Sequence, residues 1–339
     1  MLAFMRKSYL NLQKSCNLLK ITAKTVSTTR CLSTIETRLN TSNTDYRFSL
    51  NNNSKLTPEQ QKFYEENGYI VVKNLVPKND IKRYLNRFKD IANRKVSTPP
   101  GLTVQKEVSV AKEQQNENTV YKLQELFCDE VLFEYCKHPD ILNYVEAFIG
   151  PNLMAIHTML INKPPDKGTK SSRHPLHQDL HYFPIRPADK IIGAWTAMET
   201  INRENGCLVA IPGSHRGQHL EHGYPDWEGG VNKMYYGIKE MTGSENRVHL
   251  EMECGDCVLF HPLLIHGSGM NRTKGYRKAI SCHFAASDCH YIEVKGTIQE
   301  NLANEIIDVA KKRFGATFTD YSLIWKFRAQ LVRGQQINL

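Results

Sequence analysis

The chain has no apolar run approaching the ~20 residues that a membrane-crossing helix requires, so its sequence offers no integral membrane segment. It has no acidic residue before Glu36, although Arg6, Lys7, Lys14, Lys20, Lys24 and Arg30 all fall in that stretch. Six units of the formal net charge of +9 therefore sit in the leader. The +3 left for the rest is too little for a nucleic-acid surface. Nine cysteines occur without disulfide-framework spacing in 339 residues, which excludes a cystine-stapled small domain and points to a reducing compartment. Cys254 and Cys257 form a CxxC with no second pair, so they read as a tight turn around Gly255-Asp256 rather than a zinc or redox site. There is no internal repeat.

The basic, acid-free, Ser/Thr-rich residues 1–35 read as a targeting segment, and the polar residues 36–55 as a linker. One domain is expected over 56–339. Its helical N-terminal support covers 56–150, its jelly-roll core 151–296 and its helical tail 297–339. The start is marked by local chemistry: Thr57 is an N-cap, Pro58 suits the first helical position, Gln60 completes a capping box and Gly68 ends the helix. The strand "YIVVKNLV" and a second helix over 78–93, with Ile81, Tyr84, Leu85 and Phe88 on one face, should follow. Residues 94–118 read as a loop, and "KLQELF" as helix. After Gly150 the texture changes to short apolar segments such as "LMAIHTMLIN", "IIGAWTAME", "GCLVAIP" and "RKAISCHFAA", separated by Gly, Pro, Asn and Asp. The fold class is thus mainly β with flanking helices, around a jelly-roll core.

The densest chemistry lies in "SSRHPLHQDLHYF", residues 171–183. On a strand, His177 and Asp179 point to the same side. With a histidine from a distant strand they would clamp one face of an octahedral ion and leave the other face open, as in non-haem ferrous oxygenases. Two candidates for that histidine occur in "CVLFHPLLIHGSG". His266 is preferred, because Gly267 and Gly269 permit close backbone approach, whereas His261 precedes a proline. The pairs His219/Glu221 and His249/Glu251 have the same spacing but lie in a polar loop and on a partly exposed face. His174 and His181 read as structural or substrate-facing. Alternation in "RKAISCHF" puts Arg277, Ala279, Ser281 and His283 on one face and Ile280, Cys282 and Phe284 on the other. A buried Arg277 needs an anion, either a dicarboxylate cosubstrate or an internal salt bridge.

At these residues the chain resembles the phytanoyl-CoA dioxygenase family of Fe(II)/2-oxoglutarate-dependent hydroxylases. The resemblance runs from about Leu56 to the C-terminus. It is carried by "HTMLINKPPD", "SSRHPLHQDLHYFP", "AWTAME", "NGCLV", "YPDWEGGVNKM", "FHPLLIHGSG" and "RKAISCHFA". It implies a double-stranded β-helix (cupin-like) core. It further implies His177, Asp179 and His266 as iron ligands and Arg277 as the clamp on the far carboxylate of 2-oxoglutarate, with Lys122, Met159, Trp195 and Ser268 lining the cosubstrate site. The implied reaction is 2-hydroxylation of a 3-methyl-branched acyl-CoA in fatty-acid α-oxidation, consuming O2, with ascorbate as a supporting reductant. A carboxylate at position 179 argues for hydroxylation, since related halogenases leave that position free for chloride. The alternatives are a hydroxylase of the same core acting on a small or non-CoA substrate, and an inactive binding module. The resemblance implies a peroxisome and a receptor for the N-terminal segment. The basic leader alone suggests a mitochondrion, and Lys7 and Lys14 depart from the family's peroxisomal nonapeptide.

Overall fold

The computed structural model describes residues 46–339 apart from 107–114, 167, 169–171, 228–230, 242, 244 and 315–319. The expected targeting segment, and the linker up to residue 45, lie outside the described residues. Residues 46–55 are no free linker. Phe48 is buried, and Glu65 accepts bonds from the Phe48 amide and the Ser49 hydroxyl at 2.9 and 2.8 Å.

Helix α1 (Pro58–Asn67) begins as its capping box dictates. Thr57 Oγ1 accepts from the Gln60 amide, Gln60 Oε1 accepts from the Thr57 amide, and Gly68 closes the helix at φ 80°. Strand β1 (Tyr69–Val72) and helix α2 (Lys78–Ala92) follow, with Ile81, Tyr84 and Phe88 buried as the periodicity requires. Two expectations then fail. The supposed loop contains β2 (Thr103–Lys106), and the first half of "KLQELF" ends β3 (Val120–Gln124), with Leu126 and Phe127 entering a short 3-10 turn rather than an α-helix. Both strands join the main sheet, where pairing with a neighbour outweighs the helical pattern of a six-residue window. Helix α3 (Pro139–Ile149) ends at Gly150.

The core strands are β4 (Leu153–Lys163), β5 (His174–His177), β6 (Ile185–Arg186), β7 (Ile191–Ala197), β8 (Leu208–Ala210), β9 (His222–Gly223), β10 (Gly237–Ile238), β11 (Val248–Leu250), β12 (Cys257–Phe260), β13 (His266–Ser268), β14 (Arg277–Ala286) and β15 (His290–Tyr291). Helices α4 (Glu300–Phe314) and α5 (Tyr321–Arg328) form the tail. The tail does not end as helix: β16 (Gln330–Arg333) pairs with β4. The main sheet runs β1-β12-β7-β14-β4-β3-β2 and the smaller one β11-β8-β13-β5, antiparallel throughout. This is the expected double sheet.

Alternation along β14 decides which side chains enter the space between the sheets. Ile280, Cys282 and Phe284 join the large apolar core with residues of α2 and α3, while Ala279 joins a second cluster with Trp195, Leu208 and Phe260. The same alternation turns Arg277, Ser281 and His283 inward. The CxxC is a turn, with Gly255 at φ 95° and Cys254 and Cys257 as free thiols. Among the described residues, no helix is long and apolar enough to cross a membrane.

Candidate active site

Strands β5 and β13 pair so that His266 lies directly opposite His177. Their rings sit 4.3 Å apart at 49°, so their in-plane lone pairs can converge on one point. Asp179 is not on the strand. It opens a 3-10 turn, Asp179–Tyr182, two residues after β5 ends. Strand alternation is therefore not what brings Asp179 beside His177. Buried Gln178 holds the turn: its side chain donates to the Gln218 and Leu263 carbonyls and accepts from the Leu220 amide, and its own amide donates to His222 Nε2.

Both imidazoles are oriented by backbone carbonyls. His177 Nδ1 donates to Pro175 O and His266 Nδ1 to Leu264 O, each at 2.9 Å. In the neutral rings this leaves each Nε2 lone pair facing a carboxylate, with His177 Nε2 3.1 Å from Asp179 Oδ1 and His266 Nε2 3.6 Å from Asp179 Oδ2. Burial pushes the His266 pKa down to about 4 despite the nearby carboxylate. Burial opposes ionisation of Asp179, yet His266 and His283 hold its carboxyl well below the usual range. Lone pairs facing a buried anion repel unless a cation lies between them. Ligand atoms about 2.1 Å from an octahedral ion stand roughly 3 Å apart. The three residues are all buried, and they offer ligand atoms within 4.8 Å of one another. They fit a divalent metal.

His283 is a member of this cluster that sequence reasoning placed on the Arg277 face without giving it a role. Its Nε2 donates to Asp179 Oδ2 at 2.7 Å, and its ring stacks on His157. A second trio, His181, His219 and His222, also gathers its ligand atoms within 4.8 Å. It is not equivalent. The His181 and His222 rings stack at 15°, so their lone-pair planes run nearly parallel, and both nitrogens of His222 are engaged by Leu220 O and the Gln178 amide. The other sequence candidates point elsewhere. His261 pairs with Asp189, and His174 packs between His177 and Tyr235.

Arg277, the first residue of β14, is buried, and one guanidinium nitrogen donates to Gly206 O at 2.9 Å. Its Nε and Nη1 are buried without a partner, and its guanidinium lies 5.2 Å over the Trp195 ring. Of the two outcomes the sequence left open, the internal salt bridge is absent among the described residues. Burial draws the Arg277 pKa down to about 10. Met159 and Trp195 lie on either side of Ser281 in the sheet, and Ser268 accepts a 2.8 Å bond from Lys163. Lys122 is a sheet residue, opposite Ile161 on β4, and its ammonium sits 5.0 Å over Tyr235, which in turn packs on His174. The expectation of a helical residue outside the sheet is thus corrected. Lys163 was missed, although period-two alternation along β4 puts it on the face of His157 and Met159.

The family model described as phytanoyl-CoA dioxygenase (PhyH) matches residues 64–279. The chain belongs to the phytanoyl-CoA dioxygenase family. It is 58% identical over 297 residues to the human protein named phytanoyl-CoA dioxygenase, peroxisomal, covering 87% of each chain. It is 54% identical over 299 residues to the probable phytanoyl-CoA dioxygenase of Caenorhabditis elegans, covering 84% of this chain and 96% of that one. Among solved structures, EctD from S. alaskensis with bound Fe matches at TM-score 0.56 and 16% identity over 72% of this chain and 81% of that one. The epimerase SnoN in complex with Fe3+, alpha ketoglutarate and nogalamycin RO matches at TM-score 0.54 and 19% identity, over 69% of this chain and 85% of that one. These two likenesses establish the family's fold.

Proposed function

We propose that the protein is a 2-oxoglutarate-dependent hydroxylase of phytanoyl-CoA and related 3-methyl-branched acyl-CoAs, using ferrous iron and O2. The observation that carries the chemistry is the buried His177–Asp179–His266 face, whose Nε2 lone pairs meet a carboxylate and whose ligand atoms lie within 4.8 Å of one another. The substrate is supported by 58% identity across 87% of a curated protein named for it. The balanced reaction takes the acyl-CoA, 2-oxoglutarate and O2 to the 2-hydroxyacyl-CoA, succinate and carbon dioxide.

His177, Asp179 and His266 would hold the iron, which when bound supplies the oxygen activation that no side chain here can provide. The chain's own residues orient and exclude. The Pro175 and Leu264 carbonyls set both imidazole tautomers. His283 holds Asp179 Oδ2, which leaves Oδ1 turned toward His177. Arg277 has two unused donors for the far carboxylate of the keto acid. Trp195, beneath that guanidinium, and Met159 wall the cosubstrate from water, while Lys122 sits beside Tyr235 at the histidine end. Peroxisomal residence belongs to the same reading and is supported by the names of the human, rat and bovine relatives. The leader's mitochondrial reading gains no such support.

The deciding experiment incubates purified protein with ferrous iron, 2-oxoglutarate and a panel of straight and 3-methyl-branched acyl-CoAs, followed by mass spectrometry. A gain of one oxygen on the branched thioesters, matched by succinate, is expected. Oxygen gained only on free acids or unrelated molecules would refute the substrate assignment.

A further inference from the structure

Two buried cations face each other across neighbouring strands. In the β14/β4 pairing Arg277 lies directly opposite Lys163, so both side chains leave the sheet on the same face. Their exposures are 2% and 6%. Like charges directly opposite on one sheet face destabilise it, and a buried unpaired cation is costly. Among the described residues neither forms an ion pair. Lys163 Nζ instead donates to two neutral acceptors, Ser268 Oγ at 2.8 Å and Gly269 O at 2.6 Å. Asp166, the carboxylate whose field reaches Lys163, already accepts bonds from the Ser172 hydroxyl and amide and from the Gly168 amide. Burial, and then Arg277, push the Lys163 pKa well down, as expected of a cation pair with no anion between its members.

We infer that Lys163 is a positioning and specificity residue for the dicarboxylate cosubstrate, acting with Arg277 as a second buried positive charge and fixing the direction of the Ser268 hydroxyl. The inference rests on the 2-oxoglutarate reading above. A hydroxyl has one proton to give. Because Lys163 donates into Ser268 Oγ, that proton is free to point away from the lysine, and one cosubstrate carboxylate would take it together with the unused Nε and Nη1 of Arg277. That carboxylate meets two guanidinium donors, one hydroxyl donor and the field of a second cation. A keto acid lacking the far carboxylate meets the same groups with nothing to neutralise them. Discrimination at this end of the molecule is therefore a property of the Lys163–Arg277 pair.

The test is calorimetric titration of the manganese-loaded, full-length protein with 2-oxoglutarate and with 2-oxopentanoate, which carries a methyl group in place of the far carboxylate. The wild type should prefer 2-oxoglutarate. Lys163→Met should lower that preference at least tenfold while 2-oxopentanoate affinity stays within twofold. Lys163→Gln keeps hydrogen-bond donors to Ser268 and Gly269 without the charge, should show the same loss, and carries the test if the methionine variant does not fold. An unchanged preference in the variants, or equal weakening of both keto acids, overturns the proposal in favour of a structural lysine. A wild type that shows no preference sinks the cosubstrate reading itself, which is a separate failure.

Discussion

Gly267, between His266 and Ser268, is where the metal site is most exposed to a single atom. A Cβ built there would meet His174 O at 2.8 Å and Pro175 O at 3.0 Å, both backbone atoms of β5. No flexible side chain can yield. In Gly267→Ala the two strands must separate by about 0.6 Å to restore an ordinary 3.4 Å contact. That displacement falls on the pair that brings His177 opposite His266. Overpacking of this kind costs roughly 1–3 kcal/mol of stability, a few degrees in a domain of this size. The larger effect is on the site. A ligand moved by a few tenths of an ångström from a bond of about 2.1 Å loses much of its coordination, so divalent-metal affinity should fall at least tenfold, about 1.4 kcal/mol. Gly275→Ala is the control, since nothing lies within 4 Å of the added methyl. The assay is metal competition against a fluorescent chelator, with melting curves on the same samples. A folded Gly267→Ala protein binding metal within twofold of wild type refutes the claim that this close approach places His266.

Four further outcomes are expected. Arg277→Met should raise the 2-oxoglutarate concentration for half-saturation at least tenfold, about 1.4 kcal/mol for one lost charge-assisted pair, and an unchanged value removes Arg277 from the site. Asp179→Ala should abolish succinate formation with the fold retained by circular dichroism, and full turnover would contradict its role as ligand. His283→Phe keeps the ring stacking but loses the 2.7 Å bond to Asp179 Oδ2; metal affinity measured by the same competition should drop roughly tenfold, and parity with wild type would mean the carboxylate needs no such anchor. Acidification should destabilise the protein. Burial holds the pKa of His181 at about 2, of His222 at about 3, and of His215, His219 and His266 at about 4. The unfolded chain therefore binds more protons below its histidine pKa near 6.5. Stability is full above that pH and is lost from about 6.5 down to about 4 for His215, His219 and His266, to about 3 for His222 and to about 2 for His181, at up to about 1.4 kcal/mol per pH unit for each histidine. Urea midpoints at pH 7.5 and 5.5 check this, and equal values would show that these rings are not held neutral.

Short-range patterns were legible in the sequence. The capping box at Thr57 and Gln60, the closing Gly68, the strands after Gly150 and the two faces of β14 follow from spacing, because caps and alternation involve residues a few positions apart. The candidate set of His177, Asp179, His266 and Arg277 came from the same kind of reasoning, joined to the family resemblance. Lys122 was misread because its own segment looked helical, and only pairing with β4 makes it a strand.

Residue types and their local order thus determined which groups could bind a cation and which could clamp a carboxylate. Only the tertiary structure decided that residues 177 and 266 share a register, that a turn rather than a strand delivers Asp179, that His283 completes its hydrogen bonding, and that Lys163 stands across from Arg277. The physical reason is that sheet register is set by strand pairings between segments as far apart as Lys163 and Arg277, and no local propensity encodes a partner at that distance.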